Sequence, residues 1–201
     1  ILADSGASLE LYGCSFVNIT ASGQGMGGAL VSLFASVYMA DTIFEHCTGG
    51  QLSALASTVV MERVRFRDNN NKQGRCMTLL ACSLFAFETH FTNNGAETES
   101  GSVLSAQDSR VHFTQCGFTD NQGRFTGGAL QTEQSWLAID RCTFMDNSVT
   151  APTGDTVSGG GSLAVSCSSS TSVTSGVDIT DTTFERSSAG ELGRGGAVFN
   201  T

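Results

Sequence analysis

Proline is almost missing from this chain: Pro152 is the single one among 201 residues. Basic residues are scarce as well, ten lysines and arginines against nineteen acids, for a formal net charge of −9. That balance, with the basic residues dispersed, argues against nucleic acid or an anionic membrane as partner. No apolar run approaches the length needed to cross a bilayer, so no membrane insertion is expected within this segment. Helices are not expected either, because no window keeps a 3.6-residue apolar pattern and 24 glycines are scattered along the chain. There is no Cys-x-x-Cys and no Cys/His cluster. His46, His90 and His112 also fall in unlike positions, so no metal or other cofactor is expected.

Phenylalanine is what the chain has instead. Phe16, Phe44, Phe66, Phe91, Phe118, Phe144 and Phe184 each close a similar block, at intervals of 28, 22, 25, 27, 26 and 40 residues. A repeat of this length signals stacked coils. Seven positions before these rings stand Leu9, Val37, Val59, Leu84, Val111, Leu137 and Val177. Five before stand Leu11, Met39, Met61, Ala86, Phe113, Ile139 and Ile179. The residues between are mixed, which is the alternation of a strand with one buried face. Two before each ring stand Cys14, Thr42, Val64, Thr89, Cys116, Cys142 and Thr182, small enough for an interior. A bend at three before (Gly13, Asp41, Arg63, Glu88, Gln115, Arg141, Asp181) separates the two strands. It sets Asp41, Arg63 and Glu88 beside one another with alternating sign.

After the ring comes a turn marked by Asn69, Asn94, Asn121 and Asn147, each three residues beyond its Phe. Asn tolerates the left-handed conformation, and amides stacked in register can bond from coil to coil. A third apolar strand follows a Gly-rich stretch, as in Gly27–Leu30, Gly101–Leu104, Gly127–Leu130 and Gly195–Val198. Three short strands and three turns per block predict an all-β fold. The expected form is a right-handed, single-stranded parallel β-helix of about seven coils, filling residues 1–201 as one domain. Coils about 4.8 Å apart would make a rod of roughly 34 Å. The stretch at about 148–175, rich in Ser, Thr and Gly, reads as an inserted loop whose residues 159–165 return as the third strand. Leu2 has the spacing of the Leu in Gly-Gly-Ala-Leu, and neither end has a capping element. The chain therefore reads as an uncapped excerpt of a longer one.

The seven cysteines divide in two. Cys14, Cys116 and Cys142 sit in the inward column and read as small buried filler. Cys47, Cys76, Cys82 and Cys167 fall at turns or in the loop, where a disulfide is open to them in an oxidising compartment. The odd total leaves one unpaired or paired beyond the segment. Asn18-Ile19-Thr20 is an N-glycosylation sequon on an outer turn, making Asn18 the glycosylation candidate and an N-linked glycan an expected partner.

Gly-Gly-Ala-[Ile/Leu/Val] at Gly27–Leu30, Gly127–Leu130 and Gly195–Val198 and Phe-x-x-Asn at Phe66, Phe91, Phe118 and Phe144 form a paired signature. It resembles the repeats of the chlamydial polymorphic membrane proteins, which are autotransporter adhesins. Similar repeats occur in large extracellular proteins of algae and protists that look like pectin-lyase-type β-helices. Three coils depart from the pattern: Asn18 comes one place early, and Cys47 and Ser187 replace Asn. The resemblance implies the fold and an extracellular or cell-surface location.

Three functions suit such a rod. The first is a non-enzymatic structural segment of a fibre, appendage or surface layer, whose partners are further copies or other segments of the same long protein. The second is a surface adhesin. The third is a polysaccharide lyase or hydrolase, which needs acids, or an acid with a basic partner, converging on one outer face. Its candidates are Asp41, Glu62, Arg63, Glu88, Asp140 and Arg141. Glu62 and Asp140 share a column but stand two coils apart, too far to act together. Asp68, Asp120 and Asp146, each two after a Phe, read as turn formers, with a cation between Asp120 and Asp146 as the lesser alternative. No catalytic residue is assigned, and the structural reading ranks first.

Overall fold

Alternation at seven and five before each phenylalanine becomes one wall of a solenoid. In the computed structural model, which describes residues 1–20, 28–71, 75–96, 103–150, 159–166, 175–189 and 196–200, that wall is a seven-stranded parallel sheet. Its strands run in register, so Leu84, Val111 and Leu137 are direct neighbours, as are Ala86, Phe113 and Ile139. The apolar members of both columns from Val37 to Ile139 are buried. The strands that carry the rings form a second seven-stranded sheet, Ser15–Val17 through Thr183–Glu185. The Gly-rich stretches feed an eight-stranded sheet running from Leu2–Asp4 to Val198–Asn200, with Leu30, Leu52, Met77, Leu104, Leu130 and Leu163 in one inward column. The chain is an all-β parallel solenoid.

The rings stack. Successive centroids from Phe16 to Phe184 are 4.7, 4.7, 5.0, 4.9, 4.4 and 4.8 Å apart, with planes within 15° of parallel. Phe113 meets Phe118 edge-on at 5.1 Å, adding a perpendicular contact inside the stack. Such aromatic pairs contribute about 0.5–1.5 kcal/mol beyond the area they bury.

A coil has more parts than the repeat predicts. Two-residue strands follow the Asn turn at Asn70–Asn71, Gly95–Ala96, Gln122–Gly123, Ser148–Val149 and Ser188–Ala189, and they form a fourth, five-stranded sheet. Among the described residues, seven coils thus recur in two of the sheets, and five of them carry all four strands. The extra strand is too short to leave an alternation in the sequence. Within the 148–175 stretch, the returning strand is Leu163–Ser166, paired with Leu130–Glu133. The remainder, residues 151–158 and 167–174, lies outside the described residues, as does Cys167.

Among the described residues, three kinds of corner recur, each made in most coils by a single residue in the left-handed region. Phe34, Ala56, Ala81, Asp108 and Gln134 make the first; Gly13, Asp41, Arg63, Glu88, Gln115, Arg141 and Asp181 the second. Asn18, His46, Asp68, Asn93, Asp120, Asp146 and Arg186 make the third. The left-handed residue of the third corner is therefore two after the Phe, not the Asn three after it. Most of these are not glycine, and each carries a steric cost of about 1–2 kcal/mol. What holds them is the stack. Ala81 N–H donates to Gln107 O at 3.0 Å, Arg63 N–H to Phe87 O at 3.0 Å and Asp120 N–H to Met145 O at 3.0 Å. Ala81, exposed at φ 54°, should accept glycine with a gain of about 0.5–1 kcal/mol, because the strain relieved exceeds the backbone entropy glycine adds. A urea melt showing Ala81→Gly less stable than the parent would contradict that balance.

The first coil departs from the expected spacing. Leu2 pairs with Val31, not Leu30, and is exposed, while Ala3 points inward. Ser5 and Gly6 both have positive φ there, so the corner is one residue longer and shifts the strand before it.

Candidate functional site: the outer wall and its polar ladders

The inner polar ladders come first, because they decide which side chains are left to act outside. Asn69, Asn94, Asn121 and Asn147 are at most 1% exposed. Each Nδ2 donates to a phenylalanine carbonyl of the preceding coil: Asn69 to Phe44 at 3.1 Å, Asn94 to Phe66 at 3.0 Å, Asn121 to Phe91 at 3.0 Å and Asn147 to Phe118 at 2.9 Å. The second amide hydrogen of Asn69, Asn94 and Asn121 goes forward to the next Oδ1, at 2.9 Å each time. Each Oδ1 also accepts a backbone N–H from the coil before, as Asn121 Oδ1 does from Asn94 N at 3.2 Å. The ladder therefore runs in one direction with its amides satisfied.

At its ends other side chains take the place of the amide. Cys47 takes the Asn position on its coil: its thiol donates to Phe16 O at 3.4 Å and its N–H to Asn69 Oδ1 at 2.9 Å. At the other end Asn147 Nδ2 meets Ser162 Oγ at 3.4 Å, which bonds Ser187 Oγ at 2.6 Å. Asn18 is no misplaced rung. It is an exposed third-corner residue at φ 55°, and Ile19 holds the inward place after it.

A second ladder uses hydroxyls and thiols alike. Ser57, Cys82, Ser109 and Ser135 share a column in which each side chain donates to the carbonyl two residues back, at 2.8, 3.2, 2.7 and 2.7 Å. Each of the four also accepts the backbone N–H of the coil before or donates its own to the next, as Cys82 N–H does to Ser109 Oγ at 3.0 Å. Cys47, Cys76 and Cys82, expected at turns where a disulfide could form, are instead buried in three different inward columns. Cys47 and Cys82 each follow a left-handed corner residue, His46 and Ala81, and at a corner this tight the next residue points inward.

On the outside, three of the four proposed acids lie beside arginines. Asp41 is gripped by Arg63 through two bonds of 2.7 and 2.9 Å, which hold its carboxyl below the ordinary range. Asp140 pairs with Arg141 at 2.9 Å. Glu62 lies 3.7 Å from Arg63 and accepts from the Tyr38 hydroxyl, whose pKa is raised by partial burial and then by that bond. Glu88 is a second-corner residue like Asp41 and Arg63.

Along the third corner, Arg186 clasps Asp146 at 2.6 and 2.8 Å and lowers its pKa, while Asn93 donates to Asp68 at 2.7 Å. The cation considered between Asp120 and Asp146 thus has a competitor in Arg186. Both acids border an open cleft of about 480 Å³, with Asn93, Gln122 and Ser148. Glu45, His46 and Asp68 bring three ligand atoms within 4.8 Å of one another, yet Arg67 already bonds Glu45 at 2.8 Å. These are exposed surface pairs of the kind that contribute little to stability.

One outer feature is invisible in the repeat count. On the outer face of the sheet bearing Leu84 and Val111, Tyr12, Tyr38, Phe85, Phe87, His112 and Trp136 make an aromatic band, interrupted at the third coil by Thr58, Val60 and Glu62. Tyr12 is 62% and Trp136 38% exposed. Tyr12 and Tyr38 lie 5.4 Å apart, and Tyr12 donates to Glu10 at 3.1 Å. Trp136 lies flat over Gly176 of the next coil, where a Cβ would approach the ring to 2.7 Å. Reading the four, six and eight positions before each Phe as one patch would have found the band.

A family model described as right handed beta helix region matches residues 1–184. Among curated proteins, none matches the chain.

Proposed function

We propose that this chain, a member of the right-handed β-helix family, is a non-enzymatic structural segment outside the cell or on its surface, part of a fibre, appendage or surface layer. The observation that carries this reading is the use made of its reactive-looking groups. Asp41, Asp140 and Asp146 are occupied by Arg63, Arg141 and Arg186, two of those pairs linking neighbouring coils. A general acid needs a proton to give and a raised pKa to hold it. The pairing of Asp41 and Asp146 pushes the other way. The aromatic band supplies what a fibre segment needs, an exposed apolar strip for lateral contact with further copies or other segments of the same protein. An exposed Asn18 suits an N-linked glycan pointing away from the wall.

Sedimentation velocity over a concentration series tests the reading. Concentration-dependent association that Phe85→Ser with Phe87→Ser suppresses is the expected result. A strict monomer that binds cells would favour an adhesin. A monomer that cleaves uronate polysaccharides, with activity lost in Asp140→Asn, would overturn the structural role.

A further inference from the structure

Cys116 and Cys142 are the one cysteine pair among the described residues that in-register stacking makes direct neighbours. Gly117 pairs with Thr143, so the residues just before them share one inward column on adjacent coils. Cys116 N–H donates to Cys142 Sγ at 3.3 Å. Each thiol also donates to the carbonyl two residues back, Thr114 and Asp140, both at 3.3 Å. Neighbouring strands lie about 4.8 Å apart, inside the Cα separation of about 4.4–6.8 Å that a disulfide spans. The other buried cysteines lack such a neighbour: Cys82 stands between Ser57 and Ser109, and Cys47 precedes Asn69.

We propose that Cys116 and Cys142 form a disulfide that staples the fifth coil to the sixth, with a small-molecule disulfide such as oxidised glutathione as the oxidant. Both are thiols in the structure. One of them, as its thiolate, first exchanges with the oxidant, forming a mixed disulfide and releasing one glutathione thiol. The other thiolate then attacks that protein sulfur and expels the second. Two protein thiols are oxidised, one glutathione disulfide is reduced, and both thiol protons end on the two glutathiones. The residues are 3% and 2% exposed, which places the exchange in folding, before the two coils close. The finished cross-link closes a single coil and restricts the unfolded chain there.

The chain is refolded from denaturant with oxidised or reduced glutathione, alkylated under denaturing conditions and cleaved after arginine. Oxidised samples should yield residues 111–124 joined to residues 142–186. The second peptide also holds Cys167, so variants decide which sulfur is bonded. The linked species should persist in Cys167→Ser and vanish in Cys142→Ser, a substitution the column tolerates because Thr42 and Thr89 make the same bonds there. Recovery of Cys116 and Cys142 fully alkylated after oxidative refolding would overturn the proposal. So would a linked peptide that survives Cys142→Ser.

Discussion

Asn121→Ala is expected to cost about 3–5 kcal/mol, well above the 1–2 kcal/mol that a single lost turn bond would suggest. The amide serves four bonds at once. It donates to Phe91 O and Asn147 Oδ1, and it accepts Asn94 N–H and Asn94 Nδ2–H. Truncation strands three of those partners in a 0% exposed site, the Phe91 carbonyl and both Asn94 donors. Each buried orphan costs about 1–3 kcal/mol, less whatever a water entering the space recovers. Asn121→Asp supplies the sharper control. A carboxylate there faces two acceptors, Phe91 O and Asn147 Oδ1, without a hydrogen to give. Its folded pKa must lie above the ordinary Asp value of about 3.9, so the variant is most stable below that pH and loses stability as pH rises through it. Urea melts at acid and neutral pH check both statements. An Asn121→Ala loss below about 1 kcal/mol, or an Asn121→Asp variant indifferent to pH, would mean that the ladder is decoration.

Phe118→Ala is the second large loss, about 3–5 kcal/mol for a buried ring. Phe118 touches rings on three sides, at 4.9 Å to Phe91, 4.4 Å to Phe144 and 5.1 Å to Phe113. The cavity would lie between coils that continue on both sides, so collapse cannot close it. Phe184, stacked on Phe144 at 4.8 Å as its one ring partner among the described residues and only partly buried, should lose roughly half as much on the same change. Equal losses at the two positions would show that the stack contributes nothing beyond ordinary burial.

The interior was largely legible in the sequence. Columns of Val, Leu, Met and Phe at fixed distances from a marker ring are a local pattern, and burying them needs nothing more than repetition. The Asn turns were legible as a column but misread as corners, because tolerance of left-handed backbone is a property of Asn that, among the described residues, is used at Asn18 and Asn93 alone. Elsewhere Asp, His and Gly share those corners with Ala, Gln, Arg, Glu and Phe, and no propensity would put the last five there. The stack compels them by taking their N–H groups. The fourth strand was hidden for another reason: two residues cannot show a period.

The outer wall was the harder part to read. Asp146 and Arg186 are 40 residues apart, and Asp41 and Arg63 are 22 apart. Unequal coil lengths hide such partners until register is fixed. From its sequence alone the chain determined an inside and an outside, since apolar spacing along one dimension is enough to bury one set of side chains. Which cysteine meets which, which acid meets an arginine, and which aromatics gather into one band were settled only by in-register stacking. Backbone pairing between coils fixes neighbours that lie anywhere from 22 to 40 residues away.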